Sequence, residues 1–355
     1  MTQAAALAAY GSNSPSNRNR IINGDMRIDQ RNAGASVTAP NGGYTLDRWA
    51  TLSSAASKFT IQQNAGSVTP PAGFSNYAGL TVTSAYSPTG GELFALRQRI
   101  EGLNVSDLAW GTASAKTITI SFWVRSSLTG TFGGSLQNST STRSYPFTYS
   151  ISVANTWEQK TVTVSGDTTG TWLTSNGVGI SMTFSIGAGS SILGTADEWA
   201  GAAYYSATGS TNLIATNGAT FYVTGVQLEA GSVATPFEHR QYGQELALCQ
   251  RYYVRLQDAT GTTNSLCTVQ IEGSTNANAA LSYAMRAAPS STFSGLTISD
   301  SSVIPAITSV SSISSNTNGI GFTVSCSAGT LNSGRAGRIR IAGSGTAYID
   351  FSAEL

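Results

Sequence analysis

A single histidine, His239, three cysteines and a scatter of carboxylates bound the chemistry open to this 355-residue chain. A Ser-His-Asp or Cys-His relay would have to run through His239, which sits between Glu238 and Arg240 after a proline turn, the place of an exposed junction residue. Zinc held by His and Cys fits poorly: Cys249, Cys267 and Cys326 are far apart, and each falls in phase with apolar neighbours as a small core residue. Glycoside hydrolysis needs only two suitably spaced carboxylates. Glu92, Glu101, Asp107, Glu158 and Asp167 could converge in space, whereas the adjacent Asp197 and Glu198 would point to opposite sides of a strand. No P-loop or strand-coupled GxGxxG offers a phosphate cradle. The expectation is a protein that is not an enzyme and uses no cofactor.

Binding chemistry is better represented. Sugars present apolar C–H faces ringed by hydroxyls, so their sites combine aromatic platforms with Asn, Asp, Thr and Ser. Trp172 lies in TTGTWLTSN, and Trp199, Tyr204 and Tyr205 lie in DEWAGAAYYSATGS, aromatics set among loop residues rather than in clean alternation. These four are the candidate glycan contacts. The competing reading is that they close the ends of a sandwich or fill a subunit interface.

The elements that must carry them are strands. Ile118, Ile120, Phe122 and Val124 alternate with polar residues, as do Val162 and Val164, and turn clusters such as Gly133-Gly134 fall between runs. This is the pattern of an all-β chain, an antiparallel jelly roll or β-sandwich. The stretch Thr220 to Leu256 organises the rest. Its strand alternation slips a phase after Gly225, the mark of a bulge, and from Tyr242 the period becomes helical, with Tyr242, Leu246, Cys249 and Tyr253 on one stripe. A helix over roughly 244–253 is expected. The domains then read as an N-terminal tail and linker, 1–22; a jelly roll, 23–240; a connecting helix, 241–256; and a second, smaller β-sandwich, 257–355.

Composition narrows the partners. Charged residues make up 10% of the chain, against about 25% in ordinary domains, and the net charge is +1. Nucleic-acid binding wants clustered Lys and Arg; only Arg335, Arg338 and Arg340 crowd together, in a phase that puts them on the solvent side of a strand. No membrane-spanning run occurs. The three unpaired cysteines fit assembly in a reducing cytoplasm. Between Ala288 and Gly334 only Asp300 is charged, which suits either a subunit interface or a hydroxyl-covered sheet. A structural Ca²⁺ bound by loop oxygens stays open. Leu7 and Tyr10, in an Ala-rich segment too short to be helical alone, suit either a docking peptide or a frayed end.

Several stretches, NRNRIINGDMRIDQRNAGASVT (17–38), YTLDRW (44–49), the run from Ile100 to Asn138, FYVTGVQLEAGSVATPFEHRQYGQELALCQRYY and AMRAAPS (284–290), resemble bacteriophage virion proteins described as tail-fibre or receptor-binding proteins. The resemblance implies a carbohydrate-binding-like jelly roll, a variable C-terminal domain that faces the receptor, homotrimeric assembly and location in the virion. Host-surface polysaccharide would be the ligand. Other virion proteins would be met through residues 1–22, with Leu7, Tyr10, Arg18 and Arg20 as the docking candidates. A head-decorating fibre or collar element without adhesion is the alternative, and a polysaccharide depolymerase a third reading.

Overall fold

The computed structural model describes residues 17–257, 265–300, 303–316, 319–327, 331–341 and 347–355; Leu7 and Tyr10 lie outside the described residues. Along the first part run β1 (Val37–Thr38), β2 (Tyr44–Leu46), β3 (Trp49–Ser53), β4 (Phe59–Gln63), β5 (Ala78–Val82), β6 (Leu93–Glu101) and β7 (Ile118–Ser126). They are followed by β8 (Gly130–Gln137), β9 (Ser144–Ile151), β10 (Glu158–Val164), β11 (Val178–Ala188), β12 (Leu193–Gly194), β13 (Ser206–Ala207) and β14 (Thr220–Ala230). Two antiparallel sheets face each other, β1-β4-β5-β14-β7-β10 and β2-β3-β6-β11-β8-β9. Their non-sequential order is that of a jelly-roll β-sandwich, as the alternation predicts.

Period-two patterning fills the space between the sheets. Phe122 and Phe221 from the first sheet meet Phe132, Phe147 and Phe184 from the second, all fully buried, with Phe122 and Phe184 ring centres 4.9 Å apart in an edge-on contact. The central strand β14 departs from expectation, because it is buried on both sides. Phe221 and Val223 enter the core, while Tyr222 is covered from outside by Tyr77 and Trp157. The slip after Gly225 is a bulge: pairing with β7 jumps from Thr224↔Trp123 to Gln227↔Ser121. Gly225 has φ of +60°, and a Cβ there would lie 2.5 Å from Phe74 Cζ, so the position requires glycine.

The bulge receives residues 19–24. Arg20 N–H donates to the Leu228 carbonyl at 2.9 Å, Asn19 Nδ2 to that of Val226 at 3.1 Å, and Val226 N–H to that of Gly24 at 2.9 Å. Residues 19–22, expected as linker, are therefore stitched onto the first sandwich, with Asn19, Ile21 and Ile22 buried. Arg20 is paired at 2.8 Å with Asp107 of the same sandwich, and Arg18 is half-buried.

The helix is shorter and earlier than its stripe suggests. Helix α1 runs Tyr242–Gln250, and Tyr253 opens a strand instead of extending it. Tyr242, at the start of the expected stripe, is 58% exposed, whereas Cys249 is fully buried against Ile22, Ile28 and Tyr252. Strand pairing overrides helical phase: Tyr253 and Val254 find full ladder partners in Ser352 and Phe351.

The second sandwich comprises β15 (Tyr253–Gln257), β16 (Ser265–Ile271), β17 (Asn276–Leu281), β18 (Ser290–Ser294), β19 (Leu296–Ser299), β20 (Ile307–Asn316), β21 (Gly319–Cys326), β22 (Ala336–Ile341) and β23 (Tyr348–Ser352). Its sheets are β15-β23-β18 and β19-β22-β16-β17-β21-β20. Phe322 of one sheet meets Phe351 of the other at 5.1 Å. Arg335 and Arg338 face solvent and Arg340 is half-buried. Asp300 is buried and accepts from the backbone and side chain of Asn332, each at 2.8 Å. The cysteines are free, and burial pushes all three thiols up, Cys267 to about 11. They are core residues rather than nucleophiles.

Charges concentrate where the sandwiches meet. Buried Glu101 accepts from Arg251 Nη2 at 2.8 Å and Tyr252 Oη at 2.6 Å. Glu354, next to the last residue, is paired with both Arg31 and Arg48, and Tyr44 Oη donates to the Leu355 carbonyl at 2.8 Å.

Candidate functional site

The four aromatics singled out by sequence fall into two places divided by β9. Trp172 and Trp199 pack against Trp110, a residue the sequence did not suggest, with ring centres 4.8, 5.3 and 5.5 Å apart, all near-perpendicular. Tyr145, facing inward from β9, adds a fourth ring 5.1 Å from Trp199. Each indole N–H is already committed: Trp110 to the Lys116 carbonyl, Trp172 to Thr169 and Trp199 to Ser165, at 2.8, 3.2 and 2.8 Å. Beside them Arg143 grips buried Asp167 in a two-pronged ion pair of 2.7 and 2.8 Å. Burial alone would raise that carboxyl, but the guanidinium and Thr169 hold it below its ordinary value.

This cluster closes one end of the sandwich. The cavity bordering Trp110 and Trp172 measures about 10 Å³, room for roughly one water and no sugar ring. Trp172 and Trp199 are half-buried members of the main core rather than free platforms.

Tyr204 and Tyr205 lie on the other side of β9, over the outer face of the second sheet. That face is built by register. One row of cross-strand partners runs Tyr44, Ala50, Arg97, Thr183, Ser135, Pro146; the next holds Leu52, Ala95, Ser185, Gly133 and Thr148. Apart from Arg97, Leu52 and the two edge strands, the side chains are small or hydroxyl-bearing. Over the β8 and β9 half folds the segment 189–216, and two glycines set how closely it approaches. A Cβ on Gly133 would lie 2.3 Å from Ser206 Oγ, and one on Gly194 2.4 Å from Tyr204 Cδ2. The roof is tied by Ser135 Oγ and Gln137 Nε2, which donate to the Tyr204 carbonyl at 2.7 and 2.9 Å. Tyr204 thus packs as part of the roof, while Tyr205 stands half-exposed at its margin, its hydroxyl within electrostatic reach of Arg97.

Several oxygens under this roof, Thr183 Oγ1, Ser206 Oγ, Ser210 Oγ and Asn212 Oδ1, are buried with no hydrogen-bond partner among the described residues. Native interiors carry few such groups. They form a polar layer enclosed between the roof and the sheet. Sequence reasoning missed Arg97 and Tyr44. The signal was available in LFALRQRIE, where Arg97 and Arg99 alternate with Leu96, Gln98 and Ile100 and so share one face of β6.

A second concavity, of about 670 Å³, lies on the C-terminal sandwich where β16 and β17 part beyond the pair Gln270↔Asn278; Thr268, Ala280 and Arg335 border it.

The carboxylates do not converge. Glu92 accepts from Tyr86, Glu101 from Arg251, Glu158 from Lys160, Asp107 from Arg20 and Asp167 from Arg143. Asp197 sits in a left-handed turn with φ of +63°, not on a strand, so the strand geometry expected for Asp197 and Glu198 does not hold. His239 is exposed and packs edge-on to Phe237. Among the described residues, no group of three or more His, Cys, Asp or Glu is placed to hold a metal ion, and no helix is long and apolar enough to cross a membrane.

No protein-family model and no curated protein matches the chain. Solved structures similar in chain path include the enzymatically active domain of tailspike protein 4 from bacteriophage CBA120, at 14% identity and a TM-score of 0.33 over 61% of this chain. This chain spans only 22% of that tailspike's length. A CBM4 structure is similar at 15% identity, a TM-score of 0.30, and 59% and 98% of the two chains. A family 11 carbohydrate-binding module from Clostridium thermocellum, in complex with a mixed-linked tetrasaccharide, is similar at 13% identity, a TM-score of 0.27, and 57% and 98% coverage.

Proposed function

We propose that this chain is a non-enzymatic bacteriophage tail-fibre or receptor-binding subunit that attaches to host-surface polysaccharide. The observation that carries the glycan reading is the margin of the second sheet's outer face, where Tyr205 and Arg97 are half-exposed and Thr148 and Ser150 of β9 present hydroxyls to solvent. Sugar hydroxyls exchange hydrogen bonds with such a surface while the aromatic ring takes a C–H face. The sequence resemblance of residues 17–38, 44–49 and 100–138 to phage fibre proteins supports the virion setting. In this reading the homotrimer engages several glycan units at once, turning weak single contacts into durable adhesion, and the residues before Asn19 meet other virion proteins. Dispersal of the carboxylates supports binding over hydrolysis.

Cryo-electron microscopy of the intact particle tests the setting, and binding of the purified full chain to host envelope polysaccharide tests the activity. Density at the tail or baseplate with saturable polysaccharide binding is the expected outcome. Density on the capsid together with no binding would replace this reading by a head-decorating role, and release of reducing ends from the polysaccharide by a depolymerase.

A further inference from the structure

Most of the arginines near the junction are neutralised or hydrogen-bonded. Arg31 and Arg48 pair with Glu354, Arg251 with Glu101, Arg255 with Asp350, and Arg99 donates to the Leu355 carbonyl at 2.5 Å. Arg97 is the exception. Among the described residues it makes no ion pair or hydrogen bond, its Nε is buried without a partner, and the charged group that acts on it is another cation, Arg99. Burial and Arg99 together push its guanidinium below the usual value. A half-buried guanidinium with no counter-charge is a standing cost to the free protein.

Its guanidinium stands at a margin of the fold and is half-exposed. Arg97 projects from the outer face of β6 between two covers: the chain end at Leu355, fixed by Arg99 and Tyr44, and the roof segment bearing Tyr205. Its cross-strand neighbours are Ala50 and Thr183, both buried, the second carrying a hydroxyl without a partner among the described residues. A planar guanidinium with free donors, flanked by two tyrosines and small residues, is shaped for an oxyanion attached to a ring of hydroxyls.

We propose that the outer face of the second sheet selects acidic glycans, with Arg97 receiving the carboxylate or sulfate of one sugar unit. This deepens the glycan-binding reading and rests on it. The ligand supplies the charge that the fold withholds, so Arg97 destabilises the free protein slightly and contributes its interaction only in the complex.

The test is an array of purified bacterial surface polysaccharides, neutral, uronate-bearing and sulfated, probed with the full chain and with Arg97→Met and Arg97→Lys, followed by titration of the best binder. Binding concentrated on acidic members is expected, with about a tenfold or greater loss of affinity in Arg97→Met and partial retention in Arg97→Lys. The thermal midpoint of Arg97→Met should be equal to or above that of the parent, which separates lost recognition from lost folding. Reduction of the carboxyl groups abolishes binding if the oxyanion is a uronate, and desulfation does so if it is a sulfate. Binding to neutral members alone, or unchanged affinity in Arg97→Met, overturns the inference and leaves the glycan reading intact. Binding to none overturns both.

Discussion

The guanidinium of Arg48 lies 3.5 Å from the ring centre of Tyr252, face-on, although the two residues belong to different parts of the chain. Arg48 is the second residue of the two-residue turn between β2 and β3, held at φ of +70°, and is 1% exposed. A non-glycine residue in that region costs roughly 1–2 kcal/mol. The turn tolerates it because the side chain is held on all sides: by the Tyr252 ring, by Glu354 and by the Arg99 carbonyl. Burial alone would lower its pKa, and Glu354 outweighs that. One buried ion pair and one cation–π contact thus tie a hairpin of the first sandwich to the helix exit and the chain end.

Breaking this pair from one side leaves a buried charge. Glu354→Gln should destabilise the protein by about 3–5 kcal/mol, read as a drop in the denaturation midpoint. Replacing Arg48 and Glu354 together by Met and Leu should recover most of that loss. Equal destabilisation by the single and double variants would mean that the contact to Tyr252, not the charge balance, secures the junction.

Much of the fold was legible because period-two patterning is set by burial, and burial decides which face of a strand is apolar. The Gly225 bulge could be read because a phase slip leaves a trace in sequence. What could not be read were the places where burial comes from elsewhere. Tyr222 looks like the outer side of a half-buried strand until Trp157 covers it, and Tyr253 fits a helical stripe until β23 offers it a ladder. The site divides in the same way. Trp172 and Trp199 were visible as loop aromatics, but their mutual packing around Trp110 depends on three distant segments, and the isolation of Arg97 is a matter of what its neighbours are not.

Gly225→Ala should cost about 2–4 kcal/mol, combining left-handed backbone strain with a Cβ forced against Phe74. Because the bulge receives Gly24, the loss should be accompanied by faster hydrogen exchange at the Val226 amide, which donates to that carbonyl. A stability change below about 0.5 kcal/mol would show that the bulge can relax without glycine.

Asp47, the other turn residue beside Arg48, is fully buried, and burial pushes its carboxyl from 3.8 up to about 7 against the opposing pull of Arg31 and two hydrogen bonds from Gln30. Between about pH 4 and 7 the folded chain therefore holds a proton that the unfolded chain has released. Stability should fall as pH rises through that window and level off above it, with Asp47 contributing on the order of 2–4 kcal/mol to the decline. Asp25 and Asp29 are raised as well, so the group is isolated by comparison with Asp47→Asn, whose stability should decline less steeply. Parallel pH profiles for parent and variant would remove Asp47 as the source.

The two groups of aromatics should respond oppositely to truncation. Trp199 contacts Trp110, Trp172 and Tyr145 and donates to Ser165, so Trp199→Ala should cost about 3–5 kcal/mol of stability. Any fall in glycan capture would then follow the unfolded fraction and vanish at low temperature. Tyr205 is half-exposed at the roof margin, and its fixed part is the backbone N–H given to the Ile192 carbonyl, which alanine keeps. Tyr205→Ala should therefore leave the midpoint within about 0.5 kcal/mol of the parent while weakening polysaccharide binding several-fold, since a platform ring contributes roughly 0.5–1.5 kcal/mol beyond its area. Titration of both variants against one polysaccharide, alongside thermal denaturation, separates the roles. Were Trp199→Ala to abolish binding at full stability, with Tyr205→Ala silent, the binding surface would move to the tryptophan end of the sandwich, and the sheet face would be left as packing.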